Sequence, residues 1–259
     1  MKYTVESSAD GTKLLVFENK MKTVLIPAIN DKFTVCISTQ IGCGMKCAFC
    51  RSGKFERDLT AEEISEQVST ASELIDRKPT SIVVMGMGEP MLNFTAVSSA
   101  LKKIHDELEV SYKRMTLSTC GLHLDKLIDV PYPVAVSLHS AYQVLRDKLV
   151  PYAATVLEIV SFAKKLADKK RGLMIEYVLI KDVNDSDIDL DRLLGLDWPM
   201  NVNFNLIEFN DSGEYHRSLK LLEWKAKILD AGYKCFIRES RGSDIEAACG
   251  MLDTNLINH

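Results

Sequence analysis

Strand-like and helix-like stretches alternate through most of this 259-residue chain, and that alternation constrains its fold more than any other feature. Residues 33–38 alternate apolar and polar side chains and read as a strand, with Cys36 on the face opposite Val35 and Ile37. Thr60 followed by Glu63 is the capping-box signature of a helix start, and Ile64, Val68, Ala71 and Ile75 stripe one face of the helix that follows. The pattern then repeats, with strands at 81–85, 114–117, 134–138, 173–180 and 202–207. Helices are predicted at 94–108, at about 153–169 and after each of the last two strands, and residues 234–237 form a final short strand before a Gly- and Ala-rich tail. Strands alternating with helices predict a parallel sheet with right-handed crossovers. Six such units are too few for a closed eight-fold barrel, which leaves a partial barrel or an open doubly wound sheet. Short strands at 13–17 and 23–26, around the polar Glu18-Asn19-Lys20 turn, precede these units. The chain therefore divides into a β-type extension over 1–31 and an α/β barrel with its tail over 32–259.

The composition, 46% hydrophobic and 26% charged, is that of an ordinary globular protein. A net charge of −4 excludes a basic grip over the whole surface but leaves room for a local patch. The densest basic run, Lys164, Lys165, Lys169, Lys170 and Arg171, reads as a solvated helix end that complements the helix dipole, with RNA contact as the alternative. No stretch resembles a membrane span and no signal peptide opens the chain. Seven cysteines, three of them within eight residues, fit a reducing cytoplasm better than a disulfide framework.

Those three, Cys43, Cys47 and Cys50, have the form C-x3-C-x2-C. Thiolates are soft ligands that suit an iron–sulfur cluster or zinc. Three cysteines on one loop can hold three irons of a cubane and leave the fourth open. An open iron can chelate the amino and carboxylate groups of S-adenosylmethionine (SAM) and pass an electron into its sulfonium, producing a 5′-deoxyadenosyl radical. A zinc loop needs a fourth protein ligand, and a remote one such as Cys36 or a histidine is open to it. The position of the motif, just after the first barrel-like strand, favours the cluster, because ligand sites collect at the carboxyl ends of parallel strands.

Other marks fall at the same end of the predicted sheet. Gly86-Met87-Gly88-Glu89-Pro90 closes one strand, where glycines admit a ligand and the Glu89 carboxylate can receive the SAM amino group. Ser118-Thr119 and Ser137-Leu138-His139 close the next two and offer hydrogen bonds to a ribose, and Asn210 follows another; each taken alone reads first as a cap or turn. Cys120 and Cys235 read as small buried apolar residues. Cys249, among small residues near the end of the chain, is either an incidental tail cysteine or a nucleophile able to reach a site.

Together these segments resemble the RlmN/Cfr family of radical-SAM RNA adenine methyltransferases, from about Ser8 to Met251. The likeness is carried by Thr23-Val24-Leu25-Ile26-Pro27, by residues 36–50 and 85–90, by Leu117-Ser118-Thr119 and Ser137-Leu138-His139, and by residues 207–210 and 241–250. The resemblance implies a partial (β/α)6 radical-SAM barrel with a [4Fe-4S] cluster on Cys43, Cys47 and Cys50. It implies SAM contacts from Gly88, Glu89, Ser118, Ser137, Leu138, His139 and Asn210, with Cys249 as methyl carrier and Cys36 as the cysteine that resolves the covalent adduct. The implied reaction methylates an electron-poor adenine carbon, C2 or C8, in rRNA or tRNA, with an electron donor such as flavodoxin or ferredoxin. Such a carbon cannot attack a sulfonium as a nucleophile, which is why a methylated cysteine and a radical are both needed.

Two departures qualify the resemblance. Family members carry a helical domain ahead of the barrel, whereas here the strand preface begins almost at Met1; the expectation is a short form without that domain. Where the family has an acidic or amide residue before Thr-Val-Leu-Ile-Pro, this chain has Lys22, which can donate to a base but not accept from it. The expectation is a different target, or a different pose of the same target. The alternatives are a free nucleotide, small molecule or peptide as substrate, and, as a different class, a zinc-stabilised nucleic-acid-binding module without catalysis.

Overall fold

A computed structural model describes residues 1–253. Ten of its strands form one sheet. Four antiparallel strands open it: β1 (Tyr3–Ser7), β2 (Lys13–Phe17), β3 (Lys22–Ala28) and β4 (Lys32–Ile37). A two-residue hairpin, β5 (Gln40–Ile41) with β6 (Arg57–Asp58), closes the neck of the cysteine loop, and α1 (Ala61–Leu74) follows. Then come β7 (Ser81–Val84), α2 (Phe94–Leu108), β8 (Met115–Thr119), β9 (Val134–Ser137), α3 (Gln143–Leu149) and α4 (Val156–Asp168). The order ends with β10 (Leu173–Leu179), α5 (Asp187–Leu194), β11 (Val202–Glu208), α6 (Leu221–Asp230) and β12 (Lys234–Arg238).

From β4 onward every neighbour in the order β4-β7-β8-β9-β10-β11-β12 is parallel. Six crossovers link seven parallel strands, so the architecture is a partial barrel rather than an open doubly wound sheet, continued at one edge by β3, β2 and β1. The capping box expected at Thr60 is present, its hydroxyl accepting from Glu63 N–H at 3.2 Å, and Thr155 and Ser186 begin α4 and α5 in the same way. The link from β8 to β9 carries only a 3-10 turn at Leu124–Leu127.

Alternation along β4 divides its two faces. Val35 and Ile37 join the main core under the helices, with Ile64, Val68, Ile82 and Leu117. Cys36 points the other way, into a smaller cluster with Leu14, Val24, Met87, Ala247 and Leu252. This second cluster seats the strap of residues 239–253 on the concave face of the strands. Gln67, fully buried on α1, accepts from Ser38 N–H and the Thr23 hydroxyl at 2.8 Å each and donates to Ser38 O at 2.8 Å, joining helix and strands where the cysteine loop begins.

Candidate active site

The cysteine loop leaves the carboxyl end of β4 and is shaped by positions that tolerate left-handed backbone. Gly42 has φ of 72°, and a Cβ there would lie 2.0 Å from Lys54 O, so only glycine lets the two arms of the loop pair. Cys50 N–H closes a turn on Cys47 O at 3.1 Å, and Ala48 N–H reaches Leu149 O at 2.9 Å, tying the loop to the end of α3. Cys43, Cys47 and Cys50 all face one cavity of about 240 Å³. Burial pushes the Cys43 thiol up to about 12 and Cys50 to about 11. Cys47 moves down instead, first because Cys120 hydrogen-bonds its sulfur. Among the described residues no three His, Cys, Asp or Glu side chains converge on the point a single ion would occupy. Three thiols on a glycine-hinged loop that share a cavity suit a cubane, which takes them at separate corners.

Glycine also decides the next loop. Gly88 has φ of 102°, and a Cβ there would lie 2.7 Å from Gln40 and Thr39. Glu89 beyond it is buried, with Oε1 accepting from Thr119 Oγ1 at 2.6 Å and Met91 N–H at 3.0 Å, and Oε2 accepting from Cys120 N–H at 2.8 Å. Burial pushes this carboxyl up, and those three donors pull it back. The side chain expected to receive the SAM amino group therefore also sews β7 to β8, with little acceptor capacity left.

Ser118, Ser137, His139 and Asn210 line the same cavity. Leu138 does not: its side chain is buried in the main core, its N–H goes to Glu176 O at 2.9 Å and its carbonyl accepts from Arg146 Nη1 at 2.5 Å. His139 has φ of 58°, is buried, and its Nδ1 accepts from Val178 N–H at 3.0 Å while its ring meets Phe49 edge-on. Asn210 is engaged within the protein, Nδ2 donating to Cys249 O at 3.2 Å and Oδ1 accepting from the Ser240 hydroxyl.

Cys36 and Cys249 open onto this cavity from β4 and from the strap. Burial pushes Cys36 up to about 12; the protein crowded around the cavity raises Cys249 as well, although that residue is itself exposed, and for both the largest opposing influence is the Arg238 guanidinium. Arg238 lies 3.5 Å from Glu176 Oε1 and 3.1 Å from Met85 Sδ. Glu176 in turn accepts from the Ser118 hydroxyl at 2.7 Å. Sequence reasoning missed this pair, although a lone carboxylate in the apolar run of β10 was the available signal. It also missed Arg146, fully buried, whose guanidinium donates to the carbonyls of Ala154, Ser137, Leu138 and Cys120.

Lys22, expected at the edge of the substrate, is buried at the foot of the face that carries Val24 and Ile26, and its Nζ donates to Asp253 O at 2.6 Å. The basic run at the end of α4 lies at the opposite end of the sheet. There Lys164 pairs with Asp197, Lys169 with Asp129, and Arg171 caps the carbonyls of Leu127, Ile128 and Tyr132. No helix among the described residues is long and apolar enough to cross a membrane.

Comparison with known proteins agrees with this geometry. Residues 37–194 match the family model of the radical SAM superfamily. The dual-specificity RNA methyltransferase RlmN of Saccharophagus degradans is 39% identical over 95% of this chain and 68% of its own length. A radical SAM methyltransferase from Sphaerobacter thermophilus superposes with a TM-score of 0.85 at 32% identity, covering 96% of this chain and 80% of that one. SuiB of Streptococcus suis, solved with S-adenosylmethionine, shares the fold at a TM-score of 0.57 and 14% identity, over 81% of this chain and 51% of its own.

Proposed function

The chain belongs to the RlmN family within the radical SAM superfamily, and from that membership we propose that it methylates an electron-poor carbon of a nucleobase in RNA, C2 or C8 of adenine. It is a radical-SAM methyltransferase, and the family implies SAM and a [4Fe-4S] cluster as its cofactors. The observation that carries the reading further is that three loop thiols and two remote ones, Cys36 and Cys249, share one cavity although 213 residues separate the latter pair.

In this reading Cys43, Cys47 and Cys50 hold the cluster. Gly88, Ser118, Ser137, His139 and Asn210 line the place for SAM, and Glu89 holds that wall together. When bound, the cluster supplies the electron that splits SAM into methionine and a 5′-deoxyadenosyl radical. Cys249 acts first as a nucleophile: its thiolate forms an S–CH3 bond as the sulfonium S–CH3 bond of one SAM breaks, and S-adenosylhomocysteine leaves. It then presents that methyl to the ring once one of its hydrogen atoms has passed to the 5′-deoxyadenosyl radical, which leaves as 5′-deoxyadenosine. Cys36, whose affinity for a proton is high, is a strong base once ionised, and Arg238 is the cation placed to ionise it. It takes the ring proton, passes it to the methylene carbon as the S–CH2 bond breaks and closes a disulfide on Cys249, freeing the product; the one electron left over would return to the cluster. The chemistry needs a one-electron donor, for which a protein of the flavodoxin or ferredoxin kind in a reducing cytoplasm is the proposed source.

Protein purified anaerobically from SAM-replete cells is expected to carry about four irons per chain and, after digestion, a methyl on Cys249. Cellular RNA from a strain lacking the gene should lose a methyladenosine. A cluster-loaded protein with unmodified Cys249, or unchanged RNA nucleosides, would sink the corresponding half of the reading.

A further inference from the structure

The N-terminal strands do more than extend the sheet. The turn from Ser8 to Thr12 is closed by Ser8 N–H on Thr12 O at 2.8 Å and by Thr12 N–H on Asp10 Oδ1 at 2.9 Å. That leaves Asp10 Oδ2 to accept Gly242 N–H at 2.9 Å, and Ala9 N–H to donate to Asp244 Oδ2 at 3.1 Å. Gly242 has φ of 70°, and a Cβ there would lie 2.8 Å from Thr12 Cγ2, so the strap meets the turn backbone to side chain with no room for a larger residue. Nine residues beyond Asp244, the Lys22 ammonium holds Asp253 O at 2.6 Å. Between these fixings Ala247 and Leu252 are buried against Leu14, Val24 and Cys36. Both ends of the segment that carries Cys249 are thus tied to the β-type extension.

We propose that Asp10 and Lys22 are positioning residues that clamp the two ends of the strap and so hold Cys249 over the cavity that contains Cys36. Lys22, in this chain, recognises its own strap rather than a base. The inference rests on the reading of Cys249 as methyl carrier. Burial alone would push the Asp10 carboxyl up, but its hydrogen bonds with Thr12, Gly242 and Ser8 hold it at about 2, so it stays an acceptor wherever the enzyme works. Burial depresses the Lys22 ammonium, and the carboxylates of Asp253, Glu6 and Glu246 oppose that shift. Cys249 needs such a guide because it must meet a methyl donor, a ring carbon and Cys36 in turn, while the strap's central fixings are few, among them Asn210 Nδ2 to Cys249 O at 3.2 Å and Arg51 N–H to Gly250 O at 2.7 Å.

The test uses Asp10→Asn, which keeps the acceptor for Thr12 and removes the one for Gly242, and Lys22→Met, which keeps the buried stem and removes the donor. In cluster-free protein, alkylation of Cys249 by iodoacetamide is expected to quicken about tenfold in the double variant and severalfold in each single one, with Cys36 unchanged. In reconstituted protein, dithionite-driven 5′-deoxyadenosine formation should persist while methyl on Cys249 falls about tenfold. Loss of both together, with a lowered Tm, would make the contacts merely structural, and unchanged alkylation with full methylation would overturn the clamp. Absence of methyl on Cys249 in the unmodified protein would instead sink the methyl-carrier reading, and the alkylation rates would still decide the clamp. Asp10 is itself exposed at the turn, so Asp10→Asn is the variant expected to keep its fold.

Discussion

Val178 N–H donates to Nδ1 of His139 at 3.0 Å, and this one bond fixes the tautomer of the ring. An Nδ1 that accepts leaves the proton on Nε2, so the imidazole presents a donor. Burial, with Arg146 adding to it, holds the group down at about 3, and the ring is neutral across the working range. The unfolded chain takes a proton here below about 6.5 and the folded chain does not until about 3. The stability this contributes is full above about 6.5 and is lost as pH falls toward 3, with a slope of at most about 1.4 kcal/mol per pH unit. His139→Asn, which tolerates the left-handed backbone, should flatten that slope in urea unfolding of cluster-free protein between pH 4 and 7. Equal slopes in the two proteins would show that the ring titrates normally.

Arg238 and Glu176 act on Cys249 with opposite signs, the guanidinium lowering the thiol and the carboxylate raising it. Arg238→Met is therefore expected to slow alkylation of Cys249 at pH 8 by roughly fivefold to tenfold, since one pKa unit is a tenfold change in thiolate while the thiol stays above the working pH. Glu176→Gln should quicken it. The pair of variants guards against a general loosening of the strap, which would quicken both. A faster Arg238→Met would refute the electrostatic assignment.

Much of this site was legible in the sequence because it is local. The spacing of Cys43, Cys47 and Cys50 needs only one loop, and the alternation of β4 was enough to send Cys36 away from the core. The same alternation explains Leu138: Ser137 and His139 share the cavity face, and the residue between them turns into the core. Glu176 and Arg238 were not legible, since their meeting depends on β10 and β12 standing on either side of β11, which no spacing reveals. Helix α3 escaped because it has seven residues and no side-chain cap, and β1 because its strand is mostly exposed and polar. Lys22 was read as a group facing a substrate, and its bond to Asp253 O, 231 residues along the chain, was not legible from its spacing.

Arg146 is a buried cation whose bonds all go to main-chain oxygens, with no ion pair among the described residues. It ties the ends of β8 and β9 to the start of α4 and supports Cys120 beside Cys47. Arg146→Met leaves several buried carbonyls without donors, each worth about 1–3 kcal/mol. A loss of at least about 3 kcal/mol is expected in urea unfolding of the cluster-free protein, with Arg146→Lys recovering part of it. A methionine variant within about 1 kcal/mol of the parent would mean that water replaces the guanidinium without loss.

Gln67 tests the junction from which the cysteine loop departs. Its amide oxygen accepts from Ser38 N–H and Thr23 Oγ1, and its amide nitrogen donates to Ser38 O, so one side chain stands in for a strand neighbour at the end of β4. Gln67→Met fills similar space without those polar atoms, leaving a buried N–H, a buried carbonyl and a hydroxyl unpaired. The expected cost is about 2–4 kcal/mol, read as a lowered urea midpoint with an unchanged m-value. Since Ser38 Oγ also bonds Lys22 O at 2.6 Å and accepts from Met87 N–H at 3.0 Å, the disturbance should spread to the Gly86–Glu89 loop. SAM affinity is therefore expected to fall together with stability. Full SAM binding in a clearly destabilised Gln67→Met would show that the loop holds its shape without this junction.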